Sequence, residues 1–211
     1  MNYTTLVAAK STDGSIRNWL NYDRIPAEII LTEAQARIYQ HLRTREMRAS
    51  VDLTIASGDI TAPLPTGYID PIKMTHRDNR WAFVHKMQED LREVRFWDED
   101  AGNYTQGTPS AFSVFNEVLN FDMRADQAYP VVFDFYKRPD ALSGANETNW
   151  LTTRYPHLLR VACLRAAAEH MDAADKIERY SAQFDRIIQE VNVLDDLSLT
   201  GVDAHMEYRR G

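Results

Sequence analysis

Two long stretches at opposite ends of the chain repeat their hydrophobic positions every three and four residues, while the middle repeats them every two. Near the start, Ala27, Ile30, Leu31, Ala34, Ile38 and Leu42 fall on one helical face. Pro26 suits the first position of that helix, which is expected to end near Met47 with Arg43, Arg45 and Arg48 at its carboxyl end. Before it, Thr4 is placed as the cap of a short helix over Leu6, Val7 and Ala9, and Ser15 as the cap of a turn holding Ile16, Trp19 and Leu20. Near the end, Pro156 opens a helix with Leu158, Leu159, Ala162, Ala166 and Met171 inward. A second helix from Asp172 carries a seam of Ile177, Tyr180, Phe184, Ile187, Ile188, Val191 and Leu194. The two form an amphipathic hairpin that needs another apolar surface to cover it. The stretch after Leu197 has no clear period and reads as a tail that orders on meeting a partner.

Between these ends the period shortens. Val51, Leu53 and Ile55 alternate with Asp52 and Thr54, and Ser57, Gly58 and Asp59 mark a turn. Pro63, Pro65 and Gly67 punctuate an extended stretch leading to Tyr68, Ile69 and Ile72, and Trp81, Phe83 and His85 alternate as a further strand. Residues 87–97 read as a short helix with Leu91, Val94 and Trp97 inward, and residues 98–108 as a polar loop. Residues 111–115 and 118–123 flank a tight turn at Asn116 and Glu117, and residues 130–136 are expected to pair next, with Val131, Phe133 and Phe135 on one face. Helices, then strands with one helix, then helices predict an α+β fold. The expected domains are a helical bundle of residues 1–48 and 145–197, built from the N- and C-terminal helices. An antiparallel β-rich domain of residues 49–144 is inserted between them, and residues 198–211 form the tail.

Composition narrows the class. A 211-residue chain with 44% hydrophobic and 26% charged residues supports a sizeable core. The net charge of −7 argues against a protein that reads nucleic-acid sequence through a basic face, though not against a surface past which DNA slides. No run reaches the roughly 18 to 20 apolar residues of a membrane span, and the first residues lack the pattern of a signal peptide. Cys163 is the single cysteine, so no internal disulfide or thiolate cluster is possible, and a reducing cytosol is the expected place of synthesis.

Catalytic chemistry is hard to find. The six histidines are scattered, and none pairs with another on a helical face. His170 beside Glu169 and Asp172 hints at a metal, yet a polar helix end explains the trio as well. Residues 98–109 resemble a calcium loop, but its glycine is one place early and Pro109 stands where a bidentate glutamate belongs. No phosphate-cradling loop, dinucleotide fingerprint or nucleophile elbow is present. Cys163, among alanines and Leu164, reads as a packing residue rather than a nucleophile. Arg43, Arg45 and Arg48 either meet phosphates or carboxylates or complete a helix end. The four tryptophans read as core anchors. The expectation is therefore no catalysis, no cofactor and no metal.

The order of segments resembles the head-to-tail adaptor proteins of tailed bacteriophages, also called connector or gatekeeper-ring proteins. The matching stretches are Trp19 and Leu20, then Leu42, Arg43, Thr44, Arg45, Glu46 and Met47, then Leu64 and Pro65 with Tyr68. They continue with Gly107, Thr108, Pro109 and Ser110, and with Phe135, Tyr136, Lys137, Arg138 and Pro139 followed by Leu142 and Ser143. Asn149, Trp150 and Leu151, then Tyr155, Pro156, His157 and Leu158, complete the set, which spans roughly residues 1–195. The resemblance implies a structural virion protein at the neck, made in the host cytoplasm. It implies a homo-oligomeric, typically dodecameric ring that binds the portal protein on one side and the tail or a further neck protein on the other. DNA passes through its lumen unread, and no membrane is involved. Because the C-terminal segment of such proteins often reaches into the portal, Tyr208, Arg209 and Arg210 are the candidate portal-docking residues. The alternative from a different class is a small cytosolic binding module that uses the aromatic face of its sheet domain.

Overall fold

A computed structural model describes residues 1–95, 97–98 and 103–207 of the chain. It is a mixed α+β protein of two compact units, Met1–Glu46 with Pro139–Gly211 and Met47–Arg138.

The first unit is helical. Helix α1 (Tyr3–Val7) is capped by Asn2, whose side chain accepts from the Thr5 N–H, so the cap lies two residues before the expected Thr4. Thr4 instead donates through its N–H, at 3.0 Å, and its hydroxyl to the Glu147 carboxylate. Helix α2 (Ile16–Leu20) is capped by Ser15 as expected. Helix α3 (Ala27–His41) starts directly after Pro26 and ends well before Met47, because Leu42 turns extended with φ −95° and ψ 133°. A single 3-10 turn, Arg45–Met47, follows. After the second crossing between the units, α5 (Trp150–Arg154) opens on a capping box in which Asn149 and Thr152 satisfy each other's backbone N–H groups. Helix α6 (Pro156–His170) is buried on most of its circumference, and Ala162, Ala166, Ala167 and Ala168 let its neighbours approach closely. It packs against α2, α3, α5 and α7 (Ala174–Glu207). Asp172, in the left-handed region at φ +52°, makes the turn between α6 and α7.

Helix α7 runs on to Glu207 rather than stopping near Leu197, so most of the stretch expected as an aperiodic tail is helical backbone. Extending an existing helix needs no new nucleus, and residues 198–207 hold one glycine and no proline to stop it. The seam of α7 also differs at its far end. Phe184, Ile188 and Val191 are buried, but Leu194 is 65% exposed and Asp195 only 5%. At 3.6 residues per turn Asp195 lies about 20° from Phe184 around the axis, Leu194 about 80° away and Val193 opposite.

The second unit holds the strands. β1 (Arg48–Ile55), β11 (Tyr129–Lys137) and β3 (Tyr68–His76) form an antiparallel sheet in the order β1-β11-β3. β2 (Thr61–Pro63), β9 (Val118–Phe121), β8 (Ala111–Phe115) and β4 (Val84–His85) form a second sheet in that order, with β4 parallel to β8. Trp81 and Phe83, expected in a strand with His85, precede this short β4. Residues 111–115 and 118–121 make the expected hairpin, but residues 130–136 pair with β1 and β3 instead of extending it. The two sheets share one core of Ile55, Met74, Phe112, Leu119, Phe121, Val131, Phe133 and Phe135. Phe112 meets Phe133 edge-on with ring centres 5.8 Å apart. Helix α4 (Gln88–Val94) lies beside β8 and buries Leu91. The region expected as a polar loop contains short ladders: β5 (Trp97–Asp98) pairs with β6 (Asn103–Tyr104), and β7 (Gln106–Gly107) with β10 (Arg124–Ala125).

Candidate assembly surface

The most built polar site of the helical unit lies where α3 releases the chain. Arg43 folds back and donates from Nη1 to the carbonyls of Tyr39 (2.9 Å) and Leu42 (2.7 Å), closing the end of α3. Two residues on, the Arg45 N–H donates to Oδ2 of the buried Asp195 at 3.0 Å, and the Arg45 Nε lies 3.4 Å from its Oδ1. Asn192, one turn earlier on α7, donates to the His41 carbonyl at 3.4 Å and accepts from the Arg43 N–H at 3.5 Å. Glu46, beyond Arg45, is paired with Arg154 of α5. One face of α7 thereby holds the exit of α3. Around the same turns the apolar side chains of Val193 and Leu194 are 55% and 65% exposed.

The other candidates resolve as follows. Tyr208, Arg209 and Arg210 lie outside the described residues. Arg43 and Arg45 serve the helix end and Asp195, and the Arg48 guanidinium lies 5.9 Å from the centre of the Tyr136 ring. Glu169 is engaged by Arg37 at 2.6 Å and Arg165 at 3.3 Å, which hold its carboxyl below the usual carboxylate range. Among the described residues no group of three or more His, Cys, Asp or Glu side chains is arranged to hold a metal. Part of the calcium-like loop, residues 99–102, falls outside them. Cys163 is fully buried and burial pushes its thiol pKa up, as suits a packing residue. The aromatic face of Phe133 and Phe135 is spent on the core between the two sheets, so it is no open surface for a ligand. Sequence reading missed Asp195, because an acidic residue within an apolar seam looks like the point where the seam ends.

A family model described as SU10 adaptor protein matches residues 1–205. The chain belongs to this family. SU10 adaptor proteins are phage head-to-tail adaptors, and interaction with other head and tail proteins of the virion follows from that membership. No curated protein matches the chain. The family match covers both units and nearly all of α7, and it stops short of Tyr208. Among the described residues of this adaptor no helix is long and apolar enough to cross a membrane.

Proposed function

We propose that the protein is a ring-forming neck component that joins the portal to the tail or to the next neck protein and lets DNA pass through its lumen. The observation that carries this reading is the family match over residues 1–205. In this reading residues 1–48 and 145–197 are a helical bundle that forms the ring body, and residues 49–144 are a β-rich insert. The division of the chain into two units, with crossings after Glu46 and before Pro139, supports that layout. The ring is heterologous and closed, typically with twelve copies, so each copy offers two different surfaces to its neighbours. A net charge of −7 favours a channel wall that does not hold phosphates, since tight phosphate contacts would slow DNA passage. Tyr208, Arg209 and Arg210 dock into the portal. Function here needs neither catalysis nor a cofactor.

The test is electron microscopy of purified portal particles mixed with the protein. A closed ring of density on the face of the portal that receives the tail is expected. Portals that stay bare at saturating protein would end the proposal. Removing residues 208–211 is expected to reduce ring occupancy. Unchanged occupancy would remove the docking role from these residues alone.

A further inference from the structure

In the β-rich unit, a hollow of about 460 Å³ opens between α4, β6 and the β8–β9 hairpin, lined by Gln88, Arg92, Arg95, Tyr104, Phe115 and Asn120 among others. Among the described residues that line it, the charged ones are Arg92 and Arg95. The Arg92 guanidinium lies 5.9 Å from the centre of the Phe115 ring, and that of Arg95 lies 5.5 Å from the centre of the Tyr104 ring. Arg95 is fixed further by its Nε donating to the Phe121 carbonyl at 2.8 Å. No carboxylate among the described residues lies within ion-pair distance of either arginine. The Tyr104 side chain attracts and hydrogen-bonds Arg95, and the weaker attraction comes from Asp122, whose two oxygens are engaged by Ser110, at 2.9 Å from its N–H and 2.6 Å from its hydroxyl. Burial pushes the pKa of Arg95 down despite Tyr104, and repulsion from Arg92 adds to the lowering. Two mutually repelling guanidinium groups, one partly stripped of water and pinned on an aromatic ring, are arranged to gain from an added anion.

The protein itself is the acidic partner at hand. It carries 31 acidic against 24 basic side chains, an excess of seven negative charges. Each copy is thus rich in carboxylates, while the charged side chains described in the lining of the hollow are the two arginines. Phe115 is 49% exposed at the rim and gives an incoming segment an apolar contact beside the charges. We propose that this hollow is a carboxylate-binding site that seats an acidic side chain presented by a second copy of the chain. The identity of the partner rests on the ring-forming reading above; the chemistry of the site does not.

Two measurements test it. Calorimetric titration with hexaglutamate judges the site without any assembly. Binding to the wild type is expected, weaker by about tenfold in Arg92→Gln and weaker still in Arg92→Glu, as removal and then reversal of a charge-assisted contact require. Arg92 is exposed on α4, and unchanged circular dichroism and melting will show that the variants fold. Hexaglutamate that fails to bind, or binds all three proteins alike, overturns the site. A duplex oligonucleotide that binds in an Arg92-dependent way while hexaglutamate does not would assign the hollow to DNA and overturn it too. Sedimentation equilibrium then judges the second copy. Self-association of the wild type is expected to weaken in Arg92→Gln and at high salt. A wild type that stays monomeric, or association indifferent to Arg92, overturns the second copy as occupant. Bare portals in the experiment above, with hexaglutamate still bound, would sink the ring reading and leave the carboxylate site standing.

Discussion

In the β-rich unit, β1 faces β11 through eight consecutive residue pairs, and the side chains beneath that ladder are aliphatic and aromatic. In the helical unit, α6 meets α3 and α7 through faces that are also apolar, and polar links between residues far apart in sequence are added to them. Gln35 accepts from the Leu142 N–H at 3.0 Å, Asp195 from the Arg45 N–H at 3.0 Å, and Glu169 pairs with Arg37 at 2.6 Å. The Tyr3 N–H donates to the Glu147 carbonyl at 2.8 Å, which ties the first helix to the segment before α5. The difference follows from geometry. A strand slipped by one residue turns its whole apolar face outward, so the ladder and the core select the register together. Aliphatic helix faces rich in alanine can slide and still bury apolar area. A buried carboxylate or amide that finds its partner at one position only removes that freedom.

The comparison breaks most visibly in the β-rich core. Phe133→Ala is expected to cost about 3–5 kcal/mol, the range for deleting a fully buried aromatic ring. Phe133 is fully buried, stacked 5.4 Å from Phe135 and edge-on to Phe112. Denaturant unfolding followed through Trp81, which lies 4.4 Å from Phe83 in the same aromatic cluster, measures it. A loss below 1 kcal/mol would show that the ladder, rather than the aromatic packing, carries this unit.

Next in size is the polar link. Asp195→Ala leaves the Arg45 N–H without its acceptor at a partly buried position, at a cost of about 1–3 kcal/mol. Asp195→Asn keeps an acceptor oxygen and is expected to cost less. Hydrogen exchange at the Arg45 amide reads the same contact directly and should speed up in Asp195→Ala well before global unfolding does. Equal stability of wild type and Asp195→Ala would mean that the apolar faces and the Asn192 contacts hold the exit of α3 on α7 without Asp195.

These two predictions also divide what the sequence discloses from what it hides. The alternation of Val51, Leu53 and Ile55 and the seam of Phe184, Ile188 and Val191 are local patterns, and the structure follows both. The partners of β11 are not local: β1 lies some 80 residues back, and no period in residues 129–137 says which strands will flank them. The end of α3 was misplaced for a different reason. Residues 42–47 continue in helix-compatible composition, and only the backbone of Leu42 and the return of Arg43 onto Tyr39 stop the helix. The Arg92 and Arg95 hollow has a sequence signature of two cations three apart, which is indistinguishable from a solvated helix face until Tyr104 and Phe115 arrive from other strands. Family membership was readable from the order of short motifs across the whole chain, although no single motif fixes a site.

Smaller still is the hairpin turn between β8 and β9. Asn116 and Glu117 both have positive φ, 52° and 62°, the signature of a two-residue turn that matches strand twist. Asparagine tolerates that region and glutamate does not. Glu117→Gly is therefore expected to stabilise the β-rich unit by about 1 kcal/mol, the relief of left-handed strain less the added freedom of the unfolded chain. A rise in melting temperature checks it, and a fall would show that Glu117 makes an interaction worth more than its backbone costs.

The smallest effect separates the kinds of polar link in the helical unit. Glu169 is one-third exposed, unlike Asp195, so water screens its pair with Arg37 and the expected contribution is about 0.2–1 kcal/mol. Arg37 and Arg165 hold its carboxyl below the usual range, while the unfolded chain returns it to about 4.3. A depressed folded value means that stability from this pair is fully present above the unfolded value and fades as pH falls through the folded one. The difference in unfolding free energy between wild type and Glu169→Gln should thus stay level from pH 7 to about 5 and shrink as pH falls through the depressed folded value. High salt should shrink it at pH 7 as well. If instead neither acid nor high salt shrinks the difference, Glu169 acts by packing and by neutral hydrogen bonding, and α6 is tied to α3 in the way Gln35 ties α3 to Leu142, without charge.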